Sequence, residues 1–224
     1  YKNELAKPYL RDQETLNELP EGFTQWGREP QMGVILYKDI RGENRSPGAD
    51  GKIDHNDQTW LSENGSPRIN YGFDLSGNWK KLSLRMHFQG VAAYDRVIST
   101  KNGGGVFQVG GRPYFELWTD HWTPDNPDAP YPRAARGWGK PEYGWGTSTF
   151  WLRSGAYLRL KSVNLSYSLP EEWMSTLNIK SLQIFVNATN LFDVSDIGVM
   201  DPEQASLDSY PVMRTLTGGV NFKF

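Results

Sequence analysis

Three aspartates grouped around a glycine are the side chains in this sequence best placed by type and spacing to do chemistry. In KDIRGENRSPGADGKIDHND, residues 38–57, Asp50-Gly51, Ile53, Asp54 and Asp57 match positions 5, 6, 8, 9 and 12 of a calcium loop. In such a loop alternate oxygens surround the ion and the glycine permits a sharp turn. The register fails upstream, where Ser46 and Gly48 would stand at positions 1 and 3 and make poor ligands. Two readings stay open: a calcium site, or a loop held by Asx turns without metal.

No other group of side chains has the spacing of a catalytic set. His55, His87 and His121 are far apart in the sequence, and neither H-E-x-x-H nor G-x-S-x-G occurs. GWGK at 137–140 lacks the leading glycine and the Ser/Thr of a phosphate-binding loop. Asp125 and Asp128 lie in a proline-rich stretch, where turn formation accounts for them. The sequence makes no case for an enzyme.

The third chemically suggestive group is aromatic. Trp118, Trp122, Trp138, Trp145 and Trp151 crowd one long connection or its edge, with Tyr114, Tyr131 and Tyr143 among them. Aromatic faces stack on the C–H-rich faces of sugars, and long loops commonly carry recognition residues. Trp118, Trp122, Tyr131, Trp138 and Tyr143 are therefore the predicted ligand or partner residues, with packing of the loop on itself and on a protein cap as the other reading. Phe115, Trp118 and Trp122 are expected on a short helical turn.

These residues must be positioned by strands. Ile69, Tyr71, Phe73, Leu75 and Trp79 share one face, and Leu82, Leu84, Met86 and Phe88 share the next, with only Lys80 and Lys81 between the runs. A third strand spans about Tyr157 to Leu169, and its parity slips near Lys161, as a bulge would cause. Residues 170–178 read as a short helix with Pro170 at its first position. A fourth strand alternates Leu182, Ile184, Val186 and Ala188 with polar residues, and a fifth, from 212, alternates Leu216, Gly218, Val220, Phe222 and Phe224. Connections alternate in length: Lys80-Lys81, then 91–156, then 170–179, then 193–211. Membrane barrels have that asymmetry, with short turns on one side and long loops on the other, whereas a soluble sandwich imposes no such order.

Composition agrees with an all-β chain. The 224 residues contain 23 glycines and nine tryptophans, favouring strands and turns over helices. Mean hydropathy is −0.63, and no run approaches the roughly 18–20 apolar residues of a membrane helix. A barrel strand requires only alternate apolar positions, so a polar average fits one. A formal charge of −2 with scattered signs leaves no basic stripe for nucleic acid. There is no cysteine for disulfides or thiolate chemistry. The chain begins at Tyr1 without Met or a leader, and we expect a piece of something longer.

Several segments resemble, in order and style, the C-terminal part of SusC/RagA-type TonB-dependent outer-membrane transporters: YGFDLSGNWKKLSLRMHFQG, ELWTDHWTPDNPDAPYPR, SGAYLRLKSVNLSYSLPEEW, IFVNATNLF and GGVNFKF. The resemblance runs from about residue 33 to 224 and implies a barrel of about 22 strands in the bacterial outer membrane. It further implies a plug, coupling to the TonB complex through the missing N-terminal part, and a SusD-like surface lipoprotein as cap. On this reading residues 1–224 are one partial barrel domain carrying about five strands, too few to close a barrel. The family's shorter D-x-N-G-D-G-K-I-D loop would carry an insertion here at residues 43–49, bringing Asp39 back as a calcium ligand beside Asp50, Asp54 and Asp57. Phe222 and Phe224 would form the terminal assembly signal, although a girdle role suits Phe224 equally. The implied function is import of an oligomer, a glycan first and an oligopeptide second. A soluble carbohydrate-binding β-sandwich is the rival from another class.

Overall fold

The computed structural model describes residues 2–3, 5–7, 13–98, 119–133, 148–176, 179–207 and 209–223. Phe115, Trp118, Trp138, Tyr143 and Phe224 lie outside the described residues. The chain divides into two compact units: Tyr1–Glu63 with Arg96–Arg153 and Ala205–Ser209, and Asn64–Asp95 with Ser154–Gln204 and Tyr210–Phe224.

The second unit is built on five long strands, β1 (Ile69–Trp79), β2 (Leu82–Ala92), β3 (Tyr157–Ser168), β4 (Ser181–Thr189) and β5 (Thr215–Lys223). Each pairs antiparallel with the next, so spatial order follows chain order. A short sixth strand, Asp193–Ser195, pairs with the start of β3. Lengths of 11, 11, 12, 9 and 9 residues suit the roughly 9–11 residues of a tilted membrane strand.

Because side chains alternate along a strand, register decides what each face of the sheet carries. Leu75, Met86, Val163, Ala188 and Leu216 form one cross-strand row, and Trp79, Leu82, Tyr167, Ile184 and Val220 form another. On the other face Asp74, His87, Ser162, Thr189 and Thr215 line up, followed by Ser76, Arg85, Asn164, Asn187 and Thr217. One face is thus apolar across all five strands and the other polar. In a sandwich the apolar face is covered by a second sheet. Here Ile69, Phe73, Val186 and Val220 are 53%, 43%, 42% and 52% exposed, which argues against the sandwich.

The parity slip near Lys161 is a bulge. Leu160 opposes Phe88 and Ser162 opposes His87, adjacent residues on β2, leaving Lys161 as the extra residue. Before it Tyr157 and Arg159 share the polar face; after it Ser162, Asn164 and Ser166 do. Past β3, helix α1 (Glu171–Thr176) begins directly after Pro170, one residue later than its expected first position, with Glu171 and Glu172 in its first turn.

The first unit has its own core of Val34, Ile35, Leu36, Tyr37, Ile53, Trp122 and Trp151, all buried. Thr24–Gln25 runs parallel to Lys52–Ile53. Gln25, fully buried, satisfies its amide by donating from Nε2 to the Ile35 carbonyl at 2.9 Å and accepting the Tyr37 N–H at 3.0 Å.

Candidate functional site: a two-faced wall and its braced loops

The polar face of the sheet is a continuous hydrogen-bonding surface. His87 Nδ1 lies 3.1 Å from Asp74 Oδ1, and the Asn164 amide donates to Asn187 Oδ1 from the neighbouring strand. Arg85 is exposed between Ser76 and Asn164. With charge sparse and donors and acceptors alternating, this face suits contact with water or a polar solute, while the opposite face suits hydrocarbon.

Sequence reasoning missed a highly organised polar cluster among the described residues. Arg159, whose side chain is 2% exposed, reaches Asp201 Oδ2 at 2.7 Å, Glu203 Oε2 at 2.7 Å and Asp193 Oδ1 at 3.1 Å. Lys161 Nζ joins Glu203 at 2.8 Å, and the Tyr157 hydroxyl donates to the other Glu203 oxygen at 2.9 Å. Asp201 also accepts the Glu203 N–H, at 2.9 Å. The bulge places Arg159 and Tyr157 on one face with Lys161 beside them, so the connection after β4 is fastened to β3 through its carboxylates. A buried guanidinium demands this degree of pairing, because an unpaired charge there is strongly destabilising. The parity slip at Lys161 was the one available signal; partners 34 to 44 residues away in sequence were not legible.

The four aspartates form a hydrogen-bonded loop. Asp57 is fully buried: Oδ1 accepts the N–H groups of Ile40 and Arg41 at 2.8 and 3.0 Å, and Oδ2 accepts that of Asp54 at 2.9 Å. Asp39 accepts from Gly51 at 2.8 Å and Asp50 at 3.3 Å. Burial pushes the Asp39 carboxyl above its ordinary value, against the lowering effect of those N–H donors. Asp50 and Asp54 each accept the N–H two residues on, from Lys52 at 2.9 Å and Asn56 at 2.6 Å, which are Asx turns. Among the described residues no three acidic or histidine side chains converge as ligands for an ion. As arranged, Asp50 and Asp54 make Asx turns while Asp39 and Asp57 hold backbone N–H groups of the same loop.

Of the predicted aromatic residues, Trp122 and Tyr131 fall within the described structure. Trp122 is 6% exposed. It does not sit on a helical turn: its N–H donates to the Tyr131 carbonyl at 2.7 Å, beside a parallel bridge between His121 and Tyr131. Gly33, at φ +80°, lies so close to the indole that a Cβ would overlap the ring. The Arg133 N–H donates to the Gly33 carbonyl at 2.7 Å, and the Arg133 guanidinium reaches Gln31 Oε1 at 3.2 Å. Tyr131 stacks nearly parallel to Trp151, with ring centroids 6.4 Å apart. Trp122 is therefore packed against Gly33 beside Arg133 and braces the loop. Phe222 is exposed on the apolar face, opposite Leu182.

Among the described residues no helix is long and apolar enough to cross a membrane, which says nothing of strands. No protein-family model matches the chain. It is 29% identical over 212 residues to TonB-dependent receptor P26 of Formosa agariphila, covering 88% of this chain and 20% of that receptor. It is 25% identical over 222 residues to TonB-dependent receptor P3 of the same organism, covering 92% of this chain and again 20% of the relative. The chain thus spans about a fifth of the length of these curated relatives. Its fold is shared with the RagAB peptide importer in an open-open state, TM-score 0.59 at 23% identity, covering 86% of this chain and 21% of that one. The closed-closed state of the same importer gives TM-score 0.61 at 21% identity, with the same coverage. In sequence the chain is thus similar to two TonB-dependent receptors, and in fold to the RagAB peptide importer.

Proposed function

We propose that this chain is wall and surface loops of an outer-membrane barrel that imports an oligomeric solute, with energy from the TonB complex and a SusD-like lipoprotein as lid. One observation carries the reading: five consecutive antiparallel strands hold an exposed apolar face and a polar face in continuous register. In the bilayer the apolar rows contact lipid, the polar rows line the passage, and the long connections stand outside the cell. The chain's own residues bind and guide; no covalent step is required of them.

For the cargo we propose a glycan, supported by the concentration of tryptophan and tyrosine between residues 114 and 151. The second reading, an oligopeptide, is favoured by the structural neighbours, which are described as peptide importers. Copurification of the complete receptor with its lipoprotein, followed by mass spectrometry of what they retain, separates the two. Retained oligosaccharide supports the glycan reading, retained peptide the other, and failure of both classes to bind in calorimetry overturns the import role.

A further inference from the structure

Where β3, β4 and β5 meet the β1–β2 turn and α1, the second unit forms an open cavity of about 370 Å³ whose charged lining residues are exposed, within the range of small-ligand sites. Backbone bonds fix its rim: Ser168 N–H donates to the Lys81 carbonyl at 2.9 Å, Leu169 N–H to Leu182 at 2.9 Å, and Lys180 N–H to Lys223 at 2.7 Å. Lys81, Lys180 and Lys223, from three different segments, all line it, against the carboxylate of Glu171. Among the described residues none of these three ammonium groups has an acidic partner at ion-pair distance. The site is thus net positive in a chain whose formal charge is −2. Gathering like charges without compensation is unfavourable unless an anion joins them.

We infer that this cavity is a docking site for an acidic peptide segment presented at the mouth of the barrel opposite the long loops. Its lining is mixed: Ser181, Gln183 and Asn221 enter from the polar face of the sheet, and Leu182 and Phe222 from the apolar face, so that donors and acceptors for peptide groups stand beside apolar surface. The inference rests on the wall reading only in assigning the cavity to that mouth.

The test uses the complete receptor in zwitterionic detergent and a fluorescein-labelled tetraglutamate peptide, with tetralysine and tetraglutamine peptides as controls. Tetraglutamate is expected to bind alone, and more weakly as salt rises. The triple variant Lys81→Gln, Lys180→Gln, Lys223→Gln should raise Kd about tenfold, while Lys52→Gln leaves it unchanged. Each single variant should give a smaller part of the same loss, which guards against misfolding of the triple. Equal binding by wild type and triple variant, or no binding by wild type, overturns the inference; so does competition by phosphatidylglycerol micelles that the triple variant abolishes without tetraglutamate binding. Import that fails while tetraglutamate still binds would count against the transport role alone.

Discussion

The Phe185 ring lies over Gly219, the residue directly across from it on β5, so closely that a Cβ on Gly219 would overlap the ring. An aromatic on the polar face departs from the alternation of β4, and the glycine opposite is what makes room for it. Gly219→Val should displace the ring and weaken the β4–β5 pairing by about 1–3 kcal/mol. Urea unfolding of the receptor in lipid vesicles measures this, and an unchanged midpoint would show that the ring has room elsewhere.

Val186 and Asn187 are sequence neighbours with opposite surroundings. Val186→Arg should cost roughly 2–4 kcal/mol if its face meets hydrocarbon, and Asn187→Arg far less. Equal costs in a vesicle unfolding assay would mean that the two faces do not divide lipid from water.

The alternation that separates these two residues was also the most legible feature of the sequence. It gave the β1–β2 hairpin with its Lys80-Lys81 turn, and the slip at Lys161 announced the bulge. Strand ends were less legible: β2 runs on to Ala92 and β5 begins at Thr215, where pairing partners and not local residues set the limits. Packing of the loop was one reading of its tryptophans, but Gly33 as the partner of Trp122 was not legible, because it lies far back in the chain and acts by leaving space for the indole. Asp193, Asp201 and Glu203 carry no local signal that Arg159, far back in the sequence, is their shared partner.

Arg159→Ala should therefore be costly, about 3–5 kcal/mol, since it leaves three carboxylates gathered without their cation. Hydrogen exchange should show the faster rates concentrated in residues 193–204. If exchange there matches wild type, the guanidinium is not what holds the connection down.

In the aspartate loop, Asp57→Ala removes the acceptor for three backbone N–H groups and should free those of Ile40, Arg41 and Asp54 to exchange. The effect should be the same with and without calcium, and titration calorimetry should record no heat for the ion. A calcium-dependent heat lost in Asp54→Ala would instead make this loop a metal site.

Trp122→Ala should leave a void beside Gly33 and Arg133 and destabilise the first unit by about 3–5 kcal/mol. Near-ultraviolet circular dichroism and proteolysis of residues 119–133 report the loss. Resistance to protease equal to wild type would reassign Trp122 from brace to bystander.

The bulge at Lys161 sets how this wall can diversify. On one side of it, β3 is held by its neighbours' register; on the other, the same strand offers Arg159 as a socket for the connection that follows β4. A replacement segment that returns acids to the places of Asp193, Asp201 and Glu203 can seat in that socket without altering a single pair in the sheet. On the proposed wall reading, the connection after β4 can thus change its course while the pairing of the sheet stays as it is.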